Sequence, residues 1–258
     1  MSSFYSRRDK ALVVLSGGQD STICLFWSIA MFGRENVRAL TFDYGQRHHI
    51  ETQSALKVAE IAGIPIELAF IPADLLESTS PLTSDAELEQ YDSYDAMINK
   101  VENKVEATFV PMRNALFLTL AFNRAVKFDC SVVVIGVCSE DTANYPDCSV
   151  DFVHTYQSMA TASLDRRVKL EAPLLLMSKA RALKLARSLG TECWEALAYT
   201  HTSYAGEYPP VDKNHANVLR AKAFEEAGEA DPLVVRAFHE GKMDLPNTSN
   251  YDSLRSGE

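Results

Sequence analysis

The chain has 258 residues, of which 47% are hydrophobic and 23% are charged, values typical of a globular protein and not of a disordered or fibrous one. Its 25 basic and 35 acidic residues give a net charge of −10, which argues against a nucleic-acid-binding protein because such proteins present a basic face to phosphate groups. No apolar run is long enough to span a membrane, the first residues lack the apolar region of a signal peptide, and the five cysteines form no CxxC pair, so we expect a cytoplasmic protein with reduced thiols.

The hydrophobic pattern predicts alternating strands and helices over most of the chain. Short apolar runs rich in branched residues are typical of buried strands, and apolar residues at helical spacing are typical of amphipathic helices. The predicted strands span residues 10–15, 37–42, 66–71, 131–137 and 168–171, and the predicted helices span 21–31, 50–62, 115–126, 152–163 and 179–189. We therefore expect an α/β fold with an open, mainly parallel five-stranded sheet and helices on both faces.

Two parts of the chain depart from this alternation. Residues 72–107 are polar and acidic, and because a loop of this length is uncommon in a compact domain unless it is functional, we expect a flexible insertion or a lid. The main domain is predicted to span residues 1–200. A small helical appendage over 201–246, with helices at about 213–227 and 231–240, and a polar tail over 247–258 are predicted to follow it.

The strongest local signal is the string SGGQDST at residues 16–22, between the first predicted strand and the first predicted helix. Its two glycines allow a tight turn that brings consecutive backbone N–H groups close to an anion, and the start of the helix adds further unpaired N–H groups. The hydroxyls of Ser16, Ser21 and Thr22 add hydrogen-bond donors. This pattern favours a pyrophosphate site, whereas the alternative is an ordinary strand–turn–helix junction with Asp20 as the helix cap.

The string SGGQDS resembles the SGGxDS motif of the N-type ATP pyrophosphatases, which cleave ATP between the α and β phosphates. Four further strings, TFDYGQRH at 41–48, TFVPMRN at 108–114, GVC at 136–138 and YPDC at 145–148, are similar in this order to the 7-cyano-7-deazaguanine synthases. The resemblance covers roughly residues 11–200. It implies an adenine nucleotide α-hydrolase-like fold and an ATP-dependent carbon–nitrogen ligase that uses ATP with Mg²⁺. In that reaction 7-carboxy-7-deazaguanine is adenylated, ammonia displaces AMP to give an amide, and a second ATP dehydrates the amide to a nitrile.

The resemblance also implies where ATP binds. The implied ATP-binding residues are Leu15, Ser16, Gly17, Gly18, Gln19, Asp20, Ser21, Thr22, Asp43, Tyr44, Gln46 and Arg47. The implied catalytic residues are Ser16, Asp20, Ser21, Arg113 and Lys179. Residues 43–48 follow the second predicted strand, at the edge where open parallel sheets bind ligands. The alternative for these residues is a polar loop with His49 as a helix cap.

The candidate substrate-binding residues are Arg113, Asn114, Asp141, Tyr145 and Asp147. An arginine fork suits a carboxylate or a phosphate, a carboxylate accepts from the adjacent N–H donors of a guanine edge, and a tyrosine ring stacks on a base. The alternatives are that Asn114 caps the next helix and that the two aspartates only form a turn. Lys179 opens a predicted helix, where a cation opposes the helix dipole. This position suggests an anionic partner such as a phosphate, and a solvated lysine is the alternative.

The sequence departs from the family where the family has a zinc ribbon. With Arg220 as the anchor, the four positions of the zinc ligands fall on Ser203, Val211, Asn214 and Asn217. None of these supplies a thiolate, so we expect no structural zinc and no other bound structural metal. We expect the 213–227 helix to replace the metal by burying Val218, Leu219, Ala221, Ala223 and Phe224. A substitute site at Cys193, His201, Asp212 and His215 is the alternative.

Two further departures bear on function. Ser149 stands where the family commonly has arginine, and Met112 stands where it usually has glycine. The chain is therefore either a zinc-free form of the same enzyme or a relative that passes the activated acid to another amine. A non-catalytic nucleotide-binding module is the third alternative. The expected partners are a small deazaguanine acid and ammonia, with no nucleic acid and no membrane, and the oligomeric state is left open, with a homodimer as one alternative.

Overall fold

The computed structural model describes residues 9–46, 49–84, 86–101, 105–142, 144–203 and 206–256. Its strands are β1 (Ala11–Val14), β2 (Val37–Asp43), β3 (Ile66–Phe70), β4 (Val132–Val134) and β5 (Lys169–Glu171). They form one sheet in the order β3-β2-β1-β4-β5, and every neighbouring pair is parallel. The predicted fold class is therefore confirmed.

Helices cover both faces of this sheet. They are α1 (Gln19–Phe32), α2 (Ile50–Ile61), α3 (Tyr94–Val101), α4 (Arg113–Lys127), α5 (Ser139–Thr142), α6 (Val150–Ser163), α7 (Lys179–Ser188), α8 (Thr191–Leu197), α9 (His215–Ala227), α10 (Pro232–His239) and α11 (Asp252–Ser256). Because side chains alternate along a strand, Val13 of β1 packs with α1, α2, α7, α8 and α9 on one face. Leu12 packs with α4 and α6 on the other face. Among the described residues, no helix has the length and apolar character needed to cross a membrane.

The order of the strands reverses at β1. The chain runs outward from β1 to β2 and β3, then returns to add β4 on the other side of β1, and such a reversal opens a crevice at the carboxyl ends of the two central strands. Two glycines allow the crevice walls to approach closely. A Cβ on Gly17, which has φ +86°, would lie 2.3 Å from the carbonyl oxygen of Glu51, and a Cβ on Gly136 would lie 2.6 Å from the amide nitrogen of Ser21.

The segment 72–107 contains structure that the sequence pattern did not predict. Helix α3 lies within it, and Met97 of α3 is fully buried. Met97 and Tyr91 pack against Leu219 of α9, and the Tyr91 amide donates to the Lys213 carbonyl over 2.9 Å. The part of this segment from Tyr91 to Met97 therefore packs on α9, while a flexible insertion or lid stays a prediction for 72–107.

Helix α9 lies where the sequence predicts a helix, but its buried face is narrower than expected. Leu219, Ala223 and Phe224 are buried and Val218 is half-buried, whereas Ala221 is exposed. The expectation for Ala221 was wrong because the helical turn directs it away from the neighbours that cover Leu219 and Phe224.

A buried ion pair connects α9 to the next helix. The Arg220 guanidinium, 3% exposed, donates to Asp231 over 2.6 and 2.8 Å and to the Thr200 hydroxyl over 2.7 Å. Asp231 also caps α10 by accepting from the Leu233 amide over 2.9 Å. The predicted polar tail packs at the same place, because the buried Tyr251 hydroxyl accepts from the Asp231 amide over 3.3 Å.

Candidate active site

Two adjoining cavities lie in the crevice at the carboxyl ends of β1 and β4. The main cavity has a volume of about 280 Å³. The predicted site residues that line it are Leu15, Ser16, Gly18, Ser21, Tyr44, Arg113, Asn114, Asp141 and Tyr145. The side chamber has a volume of about 160 Å³. Its walls are Ser16, Gly18, Gln19, Asp20, Ser21, Gly136, Asp141, Tyr145, Lys179, Thr202, His215, Ala216, Leu219 and Arg220. Most of the predicted site residues are thus brought together around one crevice.

Hydroxyl groups hold the SGGQDST loop in shape. The Ser16 and Ser21 hydroxyls lie 3.0 Å apart, and the Gly18 amide donates to the Ser16 hydroxyl over 3.3 Å. The Ser21 and Thr22 hydroxyls both donate to the Gly18 carbonyl, over 3.1 and 2.9 Å. Gly18 is the N-cap of α1, so the interpretation of Asp20 as the helix cap was wrong. Gly17 and Thr22 shape the loop without lining either cavity.

Lys179 joins two carboxylates at the wall of the side chamber. Its Nζ lies 2.7 Å from Asp20 Oδ2, 3.1 Å from Asp141 Oδ1 and 3.1 Å from Cys138 Sγ. Since an ammonium group has three protons, these three contacts use all of them. The lysine is 8% exposed, so the interpretation of Lys179 as a solvated residue was wrong.

Burial and charge set the protonation states of this cluster. Burial alone would lower the pKa of Lys179, but the carboxylates of Asp141 and Asp20 raise it well above its usual value. Burial raises the pKa of Asp20 despite the nearby lysine. The pKa of Asp141 is also subject to burial, yet it is held below its usual value by the charge of Lys179 and by donors from Cys138. The cluster therefore presents a fixed cation between carboxylates of unequal acidity.

The N-cap of α7 and the turn around α5 position Lys179. Ser178 caps α7 by accepting from the Arg181 amide over 3.3 Å, and the Lys179 amide donates to Glu140 Oε1 over 2.8 Å. Asp141 is oriented by the Cys138 amide, which donates to its Oδ2 over 3.1 Å. The turn around α5 thus fixes both partners of the ion pair.

The outer wall of the main cavity contains an arginine and an acid. The Arg113 Nη1 donates to the Tyr44 hydroxyl over 3.4 Å. Glu51, in the first turn of α2, lines the same wall. Burial raises the pKa of Glu51, and the charge of Arg113 opposes this. Sequence reasoning missed Glu51 because an acid in the first helical turn is already favoured by the helix dipole.

Asn114, which lines the main cavity, and Asp147 bond to each other at the start of α4. Helix α4 begins at Arg113 after Met112, so Asn114 is not its N-cap. Asp147 accepts from the Asn114 amide over 3.2 Å, while the Asn114 side chain donates to the Asp147 carbonyl over 3.2 Å. Asp147 is buried and lines neither cavity. Its carboxylate therefore accepts a hydrogen bond from an amide in the first turn of α4. This partner lies 33 residues away in the sequence.

Among the described residues of the loop after β2, Tyr44 is the one that lines the cavity wall. Asp43 Oδ1 accepts from the Gly45 amide over 3.3 Å, and Gln46 Oε1 accepts from the Tyr44 amide over 2.9 Å. Neither Asp43 nor Gln46 lines a cavity, so both hold the loop in shape. Arg47 lies outside the described residues.

The local geometry does not support His49 as a helix cap, and it explains the setting of Ser149 and Met112. His49 precedes α2 without a side-chain capping bond and instead lies 3.3 Å from Asp43 Oδ2. Ser149 caps α6 by accepting from the Phe152 amide over 3.1 Å. Met112 has φ 63°, a left-handed conformation that glycine adopts more easily than any other residue, which gives a physical reason for glycine at this position in the family.

Three of the four positions that the zinc ribbon would use make side-chain hydrogen bonds. Asn214 caps α9 by accepting from the Asn217 amide over 2.9 Å. The Asn217 side chain donates to Asp212 Oδ1 over 2.6 Å and accepts from the Thr202 hydroxyl over 2.6 Å. Ser203 is buried, and its hydroxyl accepts from the Glu207 amide over 3.2 Å. Val211, the remaining position, is exposed.

The alternative metal site is not assembled. No three of Cys193, His201, Asp212 and His215 bring their ligand atoms within 4.8 Å of one another. Within the described part of the chain, the cluster that meets this distance is Asp20, Cys138 and Asp141. His201 Nε2 instead donates to the Ser203 carbonyl over 2.7 Å, and the His201 amide donates to the Gly17 carbonyl over 2.9 Å.

The comparison with models of protein families shows which family this chain belongs to. The family model described as "Queuosine biosynthesis protein QueC" matches residues 10–228. The chain belongs to the QueC family. The matched range includes all five strands of the sheet, both cavities and helix α9 of this QueC family member.

Two similar proteins have the same description. A protein from Chromobacterium violaceum is 42% identical over 234 residues, covering 88% of this chain and 94% of the relative. A protein from Gloeobacter violaceus is 43% identical over 231 residues, covering 87% and 95%. Both are described as 7-cyano-7-deazaguanine synthase.

Solved structures resemble the QueC family member less closely. NMN synthetase from Francisella tularensis is 14% identical with a TM-score of 0.44, covering 95% of this chain and 83% of that chain. NH3-dependent NAD synthetase from Campylobacter jejuni is 13% identical with a TM-score of 0.42, covering 96% and 78%. The family assignment rests on the sequence matches.

Proposed function

We propose that the protein is an ATP-dependent ligase that converts 7-carboxy-7-deazaguanine and ammonia to 7-cyano-7-deazaguanine, with release of AMP and pyrophosphate. Membership of the QueC family and the activity named for relatives at 42 and 43% identity support this function. The observation that carries it is the crevice itself, in which the SGGQDST loop and Lys179 face an arginine-lined cavity.

The chemistry requires an activated carboxylate. A free carboxylate is a poor acyl donor, and transfer of AMP to its oxygen makes that oxygen a good leaving group. The main cavity has aromatic walls, where the rings of Phe42 and Phe117 stack with centroids 4.3 Å apart. We assign the flat deazaguanine acid and the adenylate to this cavity, with Arg113 binding the carboxylate or the α phosphate through its fork.

The loop and Lys179 are assigned to the departing pyrophosphate. The start of α1 offers unpaired N–H groups and the positive end of its dipole, and the Ser16 hydroxyl lies beside them. Lys179 supplies a positive charge that burial does not remove, because its pKa is raised. Together these groups stabilise the negative charge that develops on the leaving oxygen as the bond between the α and β phosphates breaks.

ATP is expected with Mg²⁺, and the carboxylates of the cluster fit this ion. Asp20, Cys138 and Asp141 offer ligand atoms within 4.8 Å of one another, and carboxylate oxygens are the ligands that Mg²⁺ prefers. Asp20 and Asp141 would hold it, and it would neutralise charge on the phosphates. Both carboxylates also contact Lys179.

The organisation of the chain follows from this assignment. We propose residues 1–200 as the ATP pyrophosphatase domain, 201–246 as a helical appendage in place of a zinc ribbon, and 247–258 as its terminal extension. The ligands are small molecules and not nucleic acids, in keeping with a net charge of −10. We propose a cytoplasmic enzyme, and a homodimer is the oligomeric state to test.

Pyrophosphate release tests this function. ATP should be converted to AMP and pyrophosphate only when 7-carboxy-7-deazaguanine is present, and a Ser16→Ala, Asp20→Ala double variant should lose this activity while keeping its circular dichroism spectrum. Formation of ADP, or an active double variant, would contradict the proposed chemistry. Release of an amide as the final product would point instead to a relative that stops before the nitrile.

A further inference from the structure

Glu51 is an acid in the wall of a cavity that is assigned to anions. Its side chain is half-buried and lines the main cavity together with Arg113. It makes no hydrogen bond or ion pair with another residue that the structure describes. A carboxylate repels the carboxylate and the phosphates that this cavity is proposed to hold, so the binding of these anions does not explain an acid at this position.

The backbone places Glu51 beside the SGGQDST loop. The residue lies in the first turn of α2, and a Cβ on Gly17 would lie 2.3 Å from its carbonyl oxygen. The loop and α2 therefore approach each other closely at this residue. The side chain of Glu51 is thus held in the same cavity wall as two residues assigned to the reaction, Ser16 and Arg113.

Burial makes the carboxyl group of Glu51 a better proton acceptor. It raises the pKa of Glu51, while the positive charge of Arg113 opposes this effect. Bound anions near the carboxylate raise its pKa further, because like charges disfavour ionisation. A general base is most effective when its pKa approaches the pH at which the enzyme works, so this environment suits proton transfer.

The other titratable groups in the wall of the main cavity have partners or are poor bases. These groups are Tyr44, Arg113, Asp141, Tyr145, Cys148 and His201. Asp141 accepts from Lys179 over 3.1 Å, and His201 Nε2 donates to the Ser203 carbonyl over 2.7 Å. The two tyrosine hydroxyls are bonded to neighbouring side chains, a guanidinium has no acceptor atom, and burial raises the pKa of the Cys148 thiol, which keeps it protonated. Among the described residues of this wall, Glu51 is the group best placed to accept a proton from a ligand.

The proposed reaction needs a proton acceptor at the nitrogen atom. The nitrogen of ammonia loses one proton when the amide forms and two more when the amide becomes a nitrile. Proton transfer to a positioned side chain speeds such steps by about 10²–10⁴-fold. A base that faces the acyl carbon therefore serves every step in which the nitrogen reacts.

We propose that Glu51 is the general base that takes these protons from the nitrogen. This inference rests on the proposed function, because it assigns a catalytic residue to the nitrogen-transfer and dehydration steps of that reaction. In the first step the lone pair of ammonia forms a bond to the acyl carbon, and the bond from that carbon to the AMP oxygen breaks with its electron pair going to AMP. The carboxylate of Glu51 takes one proton from the nitrogen and passes it to water.

The same carboxylate acts twice in the dehydration of the amide. The amide oxygen forms a bond to the α phosphorus of the second ATP as pyrophosphate leaves, and Glu51 takes one N–H proton. The bond from carbon to the AMP oxygen then breaks with its electron pair going to AMP. Glu51 takes the last N–H proton, and the electron pair of that N–H bond completes the nitrile.

The kinetic test compares Glu51→Gln with Glu60→Gln, which alters an exposed acid on the same helix that lines neither cavity. Acid-dependent exchange of pyrophosphate into ATP precedes nitrogen transfer, so in Glu51→Gln it should fall by no more than about twofold, whereas formation of amide and nitrile should fall by about 10²–10⁴-fold. Conversion of added 7-amido-7-deazaguanine to the nitrile should fall in the same variant. Glu60→Gln should retain all three rates. An unchanged rate of nitrogen transfer in Glu51→Gln, or a loss of exchange equal to the loss of overall rate, would overturn the proposal.

A second nucleophile separates a base from a residue that only shapes the cavity. Hydroxylamine is less basic than ammonia, so its adduct with the acyl carbon loses a proton more readily without a catalyst. Formation of the hydroxamate should therefore fall by less than about tenfold in Glu51→Gln, while formation of the amide falls by at least about 100-fold. Equal losses with the two nucleophiles would overturn the proposal. Absence of acid-dependent exchange in the wild type would overturn the proposed function itself, and this inference with it.

Discussion

Lys179 holds two buried carboxylates together where the phosphates of ATP are assigned. We predict that Lys179→Met lowers pyrophosphate release at least 100-fold, the order of effect seen when a charge-stabilising donor is removed. It should also lower the free energy of unfolding by about 3–5 kcal/mol, because Asp20 and Asp141 lose their buried partner. Urea unfolding and a pyrophosphate assay measure both effects.

Lys184→Met is the matched control, since Lys184 lies on the same helix but is exposed. It should change neither quantity. An active Lys179→Met variant would refute the assignment of Lys179 to the phosphates.

His215 predicts a specific pH dependence of stability. Its pKa is about 4 in the folded protein and about 6.5 when unfolded, so between these values the unfolded state binds more protons and stability falls as pH falls. From pH 7 to pH 5 the free energy of unfolding should fall by about 2 kcal/mol more in the wild type than in His215→Phe, which has no imidazole to titrate. Urea unfolding at the two pH values measures this difference. Equal losses in the two proteins would show that the imidazole is not held neutral.

The sequence was informative about residues whose partners are nearby in the chain. In the SGGQDST loop, the turn, the hydroxyl partners and the start of α1 all lie within seven residues. The position of this loop at the end of β1 was therefore predictable. The partner of Asp147, the amide of Asn114, was not predictable because only the folded chain brings the two residues close. His215 was considered only as a metal ligand, because its burial depends on Tyr91 and Tyr145 from distant segments.

At the scale of elements, α3 depends on α9 for its stability. Met97 is fully buried against Leu219, and removing a buried methionine side chain costs about 2–5 kcal/mol. We predict that Met97→Ala increases amide hydrogen exchange in residues 91–101 at least tenfold, because α3 packs mainly on α9. The exposed Met159 provides the control Met159→Ala, which should leave exchange in this segment unchanged. Unaltered exchange in Met97→Ala would show that α3 is stabilised elsewhere.

The elements that were predicted correctly follow strong hydrophobic patterns. Each strand of the sheet lies within or overlaps a predicted strand, since buried parallel strands are short apolar runs. Helix α3 was missed because Tyr91, Tyr94 and Met97 occur in an acidic, polar stretch, and their packing partner lies more than 100 residues later in the chain. Strand β4 ends at Val134, earlier than predicted, and residues 135–137 beyond it line the main cavity.

For the whole molecule, the prediction that the appendage binds no zinc is open to direct test. A zinc site in isolated finger peptides contributes about 10–16 kcal/mol to the free energy of folding. In this appendage Asn217 instead links Asp212 and Thr202 by hydrogen bonds. Burial of Leu219 and Phe224 adds about 1.5–3 kcal/mol for each side chain. We predict that the purified protein contains no stoichiometric zinc and that chelator leaves its melting temperature unchanged, while Asn217→Ala lowers it. Elemental analysis finding one zinc per chain, with destabilisation by chelator, would contradict this.

The most direct test of the account is the identity of the product. The protein is incubated with 7-carboxy-7-deazaguanine, ATP, Mg²⁺ and ¹⁵N-labelled ammonium, and the products are analysed by mass spectrometry together with the adenine nucleotides. The account predicts 7-cyano-7-deazaguanine carrying one ¹⁵N, with AMP and pyrophosphate as the products of ATP. Unconverted acid with no AMP formed, or an unlabelled product made alongside ADP, would contradict it.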